Sequence, residues 1–468
     1  MITNMQNFQN IDFDRALIER LPSNGPRYTS YPTADRFTAD FTEQNYTHAL
    51  EQRVSGALNR PLSLYVHIPF CNVICFYCGC NKIATKDKRH ADIYINYLDK
   101  ETQLLKPHLT GITRLEQLHF GGGTPTFLSD EQLGRVFEII GNAFELVKNG
   151  EYSIEIDPRK VSADNVRNLA KLGFNRMSVG VQDFDHKVQV AVNRVQSVEE
   201  TALVVHTARE SGFKSVSIDL IYGLPHQSVA TMKATLDTVL TQLDPDRISL
   251  YHYAHLPHLF KPQRRIDTAA VPNSKEKLDI LQYAVQRLTD EGYIFIGMDH
   301  FAKPQDELSV ALRQGRLQRN FQGYSTHADC DLIGLGISSI GKVGNIYCQN
   351  VKTTEEYYAA LDSGHLPVLR GYTLNKDDLL RRNIIQDLMC RFALSFLPYE
   401  QQYGLQFEQY FKTEMAEMKQ LQQDGLVEIE PKFIWVTDKG RFLIRNIAMV
   451  FDYHLRHKST TAVYSKTV

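Results

Sequence analysis

Residues 62–80, LSLYVHIPFCNVICFYCGC, contain the first predicted element of this chain and its most informative chemical feature. The first six of these residues are mostly apolar, β-branched or aromatic, a short run typical of a buried β-strand. A loop with four thiol side chains follows at once: Cys71, Cys75, Cys78 and Cys80. The stretch therefore predicts a strand that delivers a functional loop at its carboxyl end.

Five further short β runs follow this strand, and longer stretches with helical periodicity separate them. The six predicted strands cover residues 62–67, 115–120, 152–156, 176–181, 216–220 and 247–253. The helical patterns cover residues 90–106, 129–147, 162–172, 197–212 and 228–243. Regular β/α alternation predicts a parallel sheet with right-handed crossovers, and six units favour a barrel or part of one.

Polar and glycine-rich residues lie at or just beyond the carboxyl ends of these predicted strands. GGGTPT, residues 121–126, follows the second strand, Glu155 lies near the end of the third, and Asp219 lies near the end of the fifth. Active sites of parallel barrels are built from the loops at this end. We therefore expect one rim of the sheet to carry the chemistry.

The sequence pattern divides the chain into four regions. Residues 1–60 form an N-terminal extension over the active site, with PRYTSYPTA at 26–34, and residues 61–300 form the barrel. Residues 301–372 form a connecting and substrate-cavity region. Residues 373–468 have the element order of a winged-helix module: helical patterns at 376–395 and 406–423, short β runs at 426–430 and 433–436, and a final helix near 438–457. The predicted fold class is α/β: a partial parallel (β/α)6 TIM-like barrel with a mostly helical, winged-helix-like C-terminal domain.

Composition excludes several classes of function. The 468 residues include 52 Lys and Arg against 54 Asp and Glu, a formal charge of -2, which argues against a protein that coats nucleic acid or an anionic membrane. The C-terminal residues 375–468 are also balanced, with 13 basic and 12 acidic side chains, so the winged-helix-like region lacks the charge of a nucleic-acid binder. No membrane-spanning apolar run and no secretory signal are evident, and we expect a cytoplasmic protein.

The spacing of the cysteine loop, C-x3-C-x2-C-x-C, favours an iron–sulfur cluster over zinc. Zinc sites usually pair two C-x2-C knuckles across a longer loop, whereas three thiolates in one compact loop can each hold one iron of a cubane. Cys80 follows Cys78 too closely to reach the fourth corner easily, which leaves one iron open. Zinc, buried thiols and a redox pair remain weaker alternatives. The scattered cysteines are interpreted as buried thiols: Cys330, Cys348 and Cys390.

The triple-cysteine motif after the first strand of a partial barrel resembles that of the radical S-adenosylmethionine (SAM) enzymes. Further motifs together resemble one family within that class, the oxygen-independent coproporphyrinogen III dehydrogenases. The resemblance runs from about residue 10 to the C-terminus. Its motifs are PRYTSYPTA, YVHIPFC, CGCNK, HFGGGTPTFL, SIEIDPR, FNRMSVGVQDF, VNRVQ, SIDLIYGLP, YAHLPHLFKPQRRI, GMDHFA and NFQGYST.

The resemblance implies a cofactor set and a reaction. Cys71, Cys75 and Cys78 would hold a 4Fe–4S cluster whose fourth iron binds SAM, and Cys80 would be a further cysteine needed for activity. A 5′-deoxyadenosyl radical would then convert two propionates of coproporphyrinogen III into vinyl groups, giving protoporphyrinogen IX. The family binds two SAM molecules. The matching contact residues are Tyr65, Gly122, Gly123, Thr124, Glu155, Gln182, Arg194, Asp219, Ala254 and Ile340.

Two of these assignments carry a qualification from the residues themselves. Tyr65, beside the cysteine loop, can pack against a cofactor and exclude water, so we group it with Cys80 as a catalytic candidate. Gly341 stands where many relatives have Ser, which weakens the assignment of Ile340. The resemblance also implies an external electron donor and acceptor, and a monomer.

The tetracarboxylate substrate requires basic side chains. Several Arg and Lys residues are candidates, although Arg313, Arg316 and Arg319 fit a solvated helix face equally well. The other candidates are Arg27, Lys261, Arg264 and Arg265.

Two competing functions are weaker. Haem chaperones share the three cysteines but lack the PRYTSYP segment and, generally, a cysteine at the position of Cys80. A zinc-stabilised scaffold with a winged-helix binding domain disagrees with the cysteine spacing and the neutral charge.

Overall fold

The computed structural model describes residues 11–21, 24–55, 60–109, 111, 113–327 and 330–457. Its strands are β1 (Leu62–Ile68), β2 (Phe70–Cys71), β3 (Ile83–Ala84), β4 (Arg114–Gly122), β5 (Glu145–Ile156), β6 (Arg176–Gln182), β7 (Ser215–Tyr222), β8 (Arg247–His252), β9 (Ile294–Gly297), β10 (His300–Ala302), β11 (Gln318–Asn320), β12 (Gly323–Ser325), β13 (Asp331–Leu335), β14 (Ile340–Val343), β15 (Ile346–Asn350), β16 (Val368–Thr373), β17 (Ala393–Ser395), β18 (Val427–Glu430) and β19 (Phe433–Val436).

Helices account for most of the remaining described residues. They are α1 (Arg15–Arg20), α2 (Glu43–Ser55), α3 (Arg89–Leu105), α4 (Asp130–Ala143), α5 (Ala163–Leu172), α6 (His186–Ala191), α7 (Val198–Glu210), α8 (Val229–Thr238), α9 (Ser274–Asp290), α10 (Glu307–Arg313), α11 (Thr354–Asp362), α12 (Lys376–Arg391), α13 (Leu397–Tyr403), α14 (Phe407–Tyr410), α15 (Lys412–Gln423), α16 (Asp438–Phe442), α17 (Ile444–Met449) and α18 (Tyr453–Arg456). Among the described residues, no helix combines the length and the apolar character that crossing a lipid bilayer requires.

The described residues form two compact units. The sheet unit comprises Phe37–Ile280 and Asp329–Thr373. The helical unit comprises the described residues within Met1–Arg36, Leu281–Ala328 and Leu374–Val468. One boundary therefore falls inside the segment predicted as an N-terminal extension.

The sheet unit is built on the six predicted strands. They appear as β1, β4, β5, β6, β7 and β8, which lie side by side in chain order and pair in parallel. Each is connected to the next through at least one helix, as parallel pairing requires. The predicted α/β class with a central parallel sheet is confirmed.

Within the sheet unit, the four strands from β13 to β16 were not predicted. β13 pairs in parallel with β1, and β14, β15 and β16 extend the sheet by antiparallel pairing. β13 and β15 are buried throughout and so lack alternation between apolar and polar residues, and β14 and β16 are interrupted by glycine. Their register depends on partners far away in the sequence.

The helical prediction over residues 129–147 was right at its start and too long at its end. Ser129 caps α4 through a capping box with Gln132, which satisfies two backbone N–H groups at the first turn. α4 ends at Ala143, and β5 begins at Glu145, well before its predicted start. The buried face of α4 includes Phe137, which stacks on Phe120 of β4, so the helix covers one face of the sheet.

The helical unit confirms a mostly helical C-terminal region. β17, β19 and β18 form a small antiparallel sheet in that order, and the last two strands coincide closely with those predicted. The predicted final helix over 438–457 is divided into α16, α17 and α18. Phe396 and Phe407 stack with ring centroids 4.1 Å apart inside this unit.

Candidate active site

The register of the parallel strands brings the predicted polar residues to one edge of the sheet unit. Glu155 on β5 lies opposite Ser178 on β6, and Gly180 on β6 lies opposite Asp219 on β7. These positions alternate with fully apolar ones, so their side chains share the face that the helices leave open. The predicted functional rim is therefore a continuous surface.

The cysteine loop leaves β1 at this same edge. Cys71 ends β2, which pairs with β3, and the thiols of Cys71 and Cys75 are buried. The loop on both sides of Cys75 is held by the segment after α6: Phe76 donates its backbone N–H to Val192 O (2.9 Å), and Asn193 Nδ2 donates to Ile74 O (2.8 Å). The left-handed backbone of Asn193, φ 54°, directs this contact. All four cysteines of the loop are free thiols.

A buried charge cluster contacts Cys75. Arg194 lies with Nη1 3.5 Å from Cys75 Sγ and 3.3 Å from Asp157 Oδ2, and its Nη2 donates to Gly180 O at 2.6 Å. Arg159 forms a second ion pair with Asp157 at 2.6 Å and lies 3.7 Å from the same sulfur. Although burial acts to raise it, the pKa of Asp157 is held below its ordinary value by the two arginines. Two guanidinium groups therefore lie within 3.7 Å of one buried sulfur.

The other thiols of the loop are polarised in different ways. Cys71 Sγ lies 3.5 Å from the Thr124 hydroxyl, and burial raises the pKa of the Cys71 thiol to about 11. A hydrogen bond from Cys80 and the nearby Lys82 ammonium together lower the pKa of Cys78 to about 6. The same hydrogen bond raises the pKa of Cys80, so the two neighbouring thiols differ in character. Only Cys80 of the four is exposed.

Glycines 122 and 123 bring the backbone of the GGGTPT segment close to the cysteine loop. Gly122 has φ 112°, and a Cβ there would lie 2.6 Å from the His67 ring. A Cβ on Gly123 would lie 2.6 Å from the carbonyl oxygen of Pro69, directly before β2. Only glycine allows this approach, and the resulting surface is lined by backbone rather than by side chains.

Substituting Gly123 by alanine is expected to lower the free energy of unfolding by about 3 kcal/mol, because the new methyl group would overlap a fixed backbone oxygen. Gly134 in α4 is the matched control, since a Cβ there meets no atom within 4 Å. Gly134→Ala should instead stabilise the protein by about 0.5–1 kcal/mol. Chemical denaturation of both variants tests this. Equal stability changes would show that the Gly123 segment can move away from Pro69.

Two carboxylates lie on the open face of the sheet, Glu155 on β5 and Asp219 on β7. Glu155 accepts the backbone N–H of Gly122 at 3.2 Å and lies 3.3 Å from His119 Nε2. Asp219 accepts a hydrogen bond from the Ser178 hydroxyl at 2.7 Å, and burial raises the pKa of Asp219 to about 6. Both carboxylates retain acceptor capacity on the open face, and such groups suit hydroxyl-bearing ligands.

Electrostatic interactions join these groups into one site. Asp219 interacts with both Glu155 and Arg194, and the Tyr65 hydroxyl interacts with Glu155 and Cys80. Tyr65 also lies 3.1 Å from His67 Nδ1, whose other ring nitrogen lies 3.0 Å from Asn81 O in the cysteine loop. His67 and His119 were not predicted. His67 lies on β1 with Tyr65, and His119 lies opposite Tyr65 on β4. Knowing the register of β1 and β4 in advance would have been necessary to identify them as site residues.

Three further predicted contact residues lie at or just beyond strand ends: Gln182, Ala254 and Ile340. Gln182 ends β6 with φ 69°. The carbonyl of Ala254 accepts Gln263 Nε2 (3.1 Å), which also donates to Tyr77 O in the cysteine loop (2.9 Å). Ile340 begins β14, directly after the loop 336–339.

A buried acidic residue anchors the loop that leads to Ile340. The carboxylate of Glu101 accepts hydrogen bonds from Gly336 N (2.8 Å), Asn350 Nδ2 (2.6 Å) and the Tyr357 hydroxyl (2.6 Å). Burial raises the pKa of Glu101 to about 7. Because Glu101 belongs to α3, this helix fixes the loop before Ile340.

The basic candidates for substrate carboxylates separate by environment. Arg313 and Arg316 are exposed, which agrees with the solvated-surface interpretation, whereas Arg319 is buried. Arg27 is partly buried in the helical unit. The remaining candidates are exposed residues of the sheet unit: Lys261, Arg264 and Arg265.

The residues present fit an iron–sulfur cluster and SAM. Three free thiols lie on one short loop beside two guanidinium groups, and the buried Nε of Arg194 has no hydrogen-bond partner among the described residues. Next to them lie a backbone-lined glycine segment and two carboxylates, which suit an amino-acid moiety and ribose hydroxyls respectively.

Comparison with known proteins agrees with this description. The family profile for the radical SAM superfamily matches residues 65–239, which span β1 to α8, and the HemN C-terminal domain profile matches residues 374–443. The fold and the three-thiol site thus define a radical SAM enzyme. The chain belongs to the family of oxygen-independent coproporphyrinogen III oxidases, as its full-length relatives show.

Those relatives are bacterial proteins. The oxygen-independent coproporphyrinogen III oxidase of Escherichia coli is 47% identical over 98% of this chain and 99% of its own length. The enzyme of the same name from Synechocystis is 43% identical, with the same coverage. The solved structure of coproporphyrinogen III oxidase from Escherichia coli, a radical SAM enzyme, superimposes with a TM-score of 0.89 over 95% of this chain and 100% of that chain.

Proposed function

We propose that this protein carries out the oxygen-independent oxidative decarboxylation of two propionate side chains of coproporphyrinogen III, giving protoporphyrinogen IX for haem synthesis. The observation that carries the proposal is the three-thiol loop beside Arg194, Glu155 and Asp219, in a chain that matches relatives of this name over its full length. The retained PRYTSYP segment and Cys80 favour turnover over haem chaperone activity.

Cys71, Cys75 and Cys78 are the residues that would hold the cluster. When bound, a 4Fe–4S cluster supplies the electron that cleaves SAM to methionine and the 5′-deoxyadenosyl radical, which removes hydrogen from the propionate β-carbon before CO2 and an electron are lost. Arg194, whose Nη1 lies 3.5 Å from Cys75 Sγ, would stabilise the negative charge of that sulfur once it holds iron. Lys82 donates to the carbonyls of Cys78 and Cys80 and so fixes the end of the loop.

The surrounding residues would bind SAM and keep water out. Gly122 and Gly123 allow a methionine moiety to approach the backbone, and Glu155 and Asp219 can accept hydrogen bonds from ribose hydroxyls. Tyr65 lies beside Cys80 and can pack against the cofactor. This packing would exclude water, as a primary radical requires. Two SAM molecules are proposed, with Thr124, Gln182, Ala254 and Ile340 completing the contacts.

The remaining properties of the enzyme follow from this activity. An external electron donor and acceptor are needed, since cluster reduction and the loss of an electron from the substrate both require exchange with other molecules. The free state of all the cysteines in the described residues supports a reducing compartment, and we propose the cytoplasm. We propose a monomer that binds neither nucleic acid nor membrane.

An anaerobic turnover assay tests the proposed function. The protein, reconstituted with iron and sulfide, is incubated with a reductant, SAM and coproporphyrinogen III. We expect protoporphyrinogen IX and 5′-deoxyadenosine as products, measured by chromatography. Stoichiometric haem binding without any decarboxylation would contradict the enzyme and favour the chaperone.

A further inference from the structure

Arg319 of the helical unit is a buried arginine, and one of its guanidinium nitrogens has no hydrogen-bond partner among the described residues. It is 5% exposed and lies on β11, where Gln386 of α12 pairs with its backbone N–H and carbonyl. Its Nε donates to the carbonyl of Arg27 at 3.2 Å, and its guanidinium lies 4.7 Å from the ring centroid of Tyr324. Nη1 has no hydrogen-bond partner among the described residues. A buried donor on a charged group is costly to leave unsatisfied, so a ligand acceptor atom there is favoured.

Arg27 supplies a second guanidinium at the same place. It forms an ion pair with Asp299, and its side chain is 33% exposed while that of Asp299 is 16% exposed. Burial alone would raise the pKa of Asp299, but Arg27, His300 and Arg319 hold it below its ordinary value. This carboxylate thus interacts with several positive groups at once.

Arg445 adds a third positive charge and fixes the local backbone. It is 4% exposed and donates to the carbonyl of Pro26 at 3.0 Å and to that of Gly25. Burial and the repulsion from Arg27 lower the pKa of Arg445 to about 10, and Arg319 adds to that repulsion. The segment before Arg27 is therefore anchored from the interior of the unit, and repulsion among neighbouring guanidinium groups favours an added anion.

We propose that Arg319 and Arg27 bind one propionate carboxylate of the porphyrinogen, with Nη1 of Arg319 as the principal donor. The inference rests on the proposed function, since it names how this substrate is recognised. A planar guanidinium matches a carboxylate in two parallel hydrogen bonds, and anchored side chains lose little entropy on binding. Asp299 forms its ion pair with Arg27 and so holds that side chain in place, while Nη1 of Arg319 stays available to the substrate.

The neighbouring arginines do not share these features. Arg313 donates to Pro304 O at 2.8 Å and Arg316 donates to Gln314 Oε1 at 2.8 Å, and both are exposed. Arg316 therefore provides a matched control three positions from Arg319.

Binding of a stable porphyrin measures the site without turnover. The holoenzyme is titrated with coproporphyrin III, which carries the four carboxylates, and with its tetramethyl ester, which carries none. Arg319→Gln and Arg27→Gln should each weaken coproporphyrin III binding about 10- to 100-fold and leave ester binding unchanged. Arg319→Lys should recover part of the loss, because it keeps the charge but not the fork of donors. Arg316→Gln should bind like the wild type.

Kinetics and folding complete the experiment. In the turnover assay, Arg319→Gln should raise KM for coproporphyrinogen III by a similar factor, with kcat and the cluster absorption close to those of the wild type. Thermal unfolding separates loss of fold from loss of binding, and the partly exposed Arg27 gives a variant less prone to misfolding. If the wild type turns over, and folded Arg319→Gln and Arg27→Gln bind coproporphyrin III as tightly as the wild type does, the inference is overturned and the proposed function stands. A wild type that neither binds coproporphyrin III nor decarboxylates the porphyrinogen overturns the inference and the proposed function together.

Discussion

Cys71→Ala is expected to lose the iron–sulfur cluster and all SAM cleavage, whereas Cys80→Ala keeps the cluster and loses at least 100-fold in porphyrinogen turnover. Cys71 ends β2 as a buried thiol at the base of the loop, so its removal takes away one of three ligands. Cubane clusters bound by two protein thiolates lack the anchoring that three provide. Iron and sulfide content, visible absorption and 5′-deoxyadenosine formation measure the two variants.

Cys80 differs from the three proposed ligands in its surroundings. It is exposed, it donates a hydrogen bond to Cys78, and it interacts electrostatically with Glu155 and Tyr65 on the open face. A thiol in that position can act on substrate or cofactor without binding iron. Cys348→Ala is the control, because that thiol is buried in β15 of the sheet unit, and it should retain both cluster and turnover. Equal loss of iron from Cys80→Ala and Cys71→Ala would identify Cys80 as a ligand.

The central sheet could be predicted because its signals are local. The six predicted strands, β1 and β4 to β8, are short apolar runs separated by helices, and the helices cover one face with amphipathic patterns. The four strands from β13 to β16 escaped prediction because their stability comes from pairing with residues far along the chain. β13, for example, pairs residue by residue with β1, and no property of DLIGL alone reveals that partner.

The candidate site was predictable by residue type but not by contact. Glu155 and Asp219 stand at strand ends, where parallel sheets place their chemistry, and the sequence shows this directly. The cluster of Asp157 and Arg159 beside Cys75 could not be predicted, because it depends on how the loop after β5 folds over the cysteines. The separation of buried Arg319 from exposed Arg313 and Arg316 likewise depends on α10 ending at Arg313 and β11 turning inward.

Arg194→Gln is expected to reduce turnover by at least 100-fold and to weaken SAM binding, with a smaller loss of iron. The wild-type guanidinium contacts Cys75 Sγ, Asp157 and the carbonyl of Gly180, and the residue is 6% exposed. Removing its charge leaves negative groups in a buried place with fewer donors, at a cost of about 1–3 kcal/mol for each unsatisfied group. Equilibrium SAM binding, iron content and turnover measure the effect, and Arg194→Lys should recover part of it.

Arg159 cannot replace Arg194 in this role, although it approaches the same sulfur. Its guanidinium already holds both oxygens of Asp157, at 2.9 and 2.6 Å, and it lies farther from Cys75 Sγ, at 3.7 Å. Arg167→Gln on α5 is the matched control, because that exposed arginine forms an ion pair with Asp164, three residues before it on the same helix, so the substitution should change none of the three measurements. Normal SAM affinity and turnover in a folded Arg194→Gln would mean that Arg159 alone supplies the positive charge the thiolates need. In that case the remaining role of Arg194 would be structural. Its hydrogen bond to the carbonyl of Gly180 would hold the end of β6 in place.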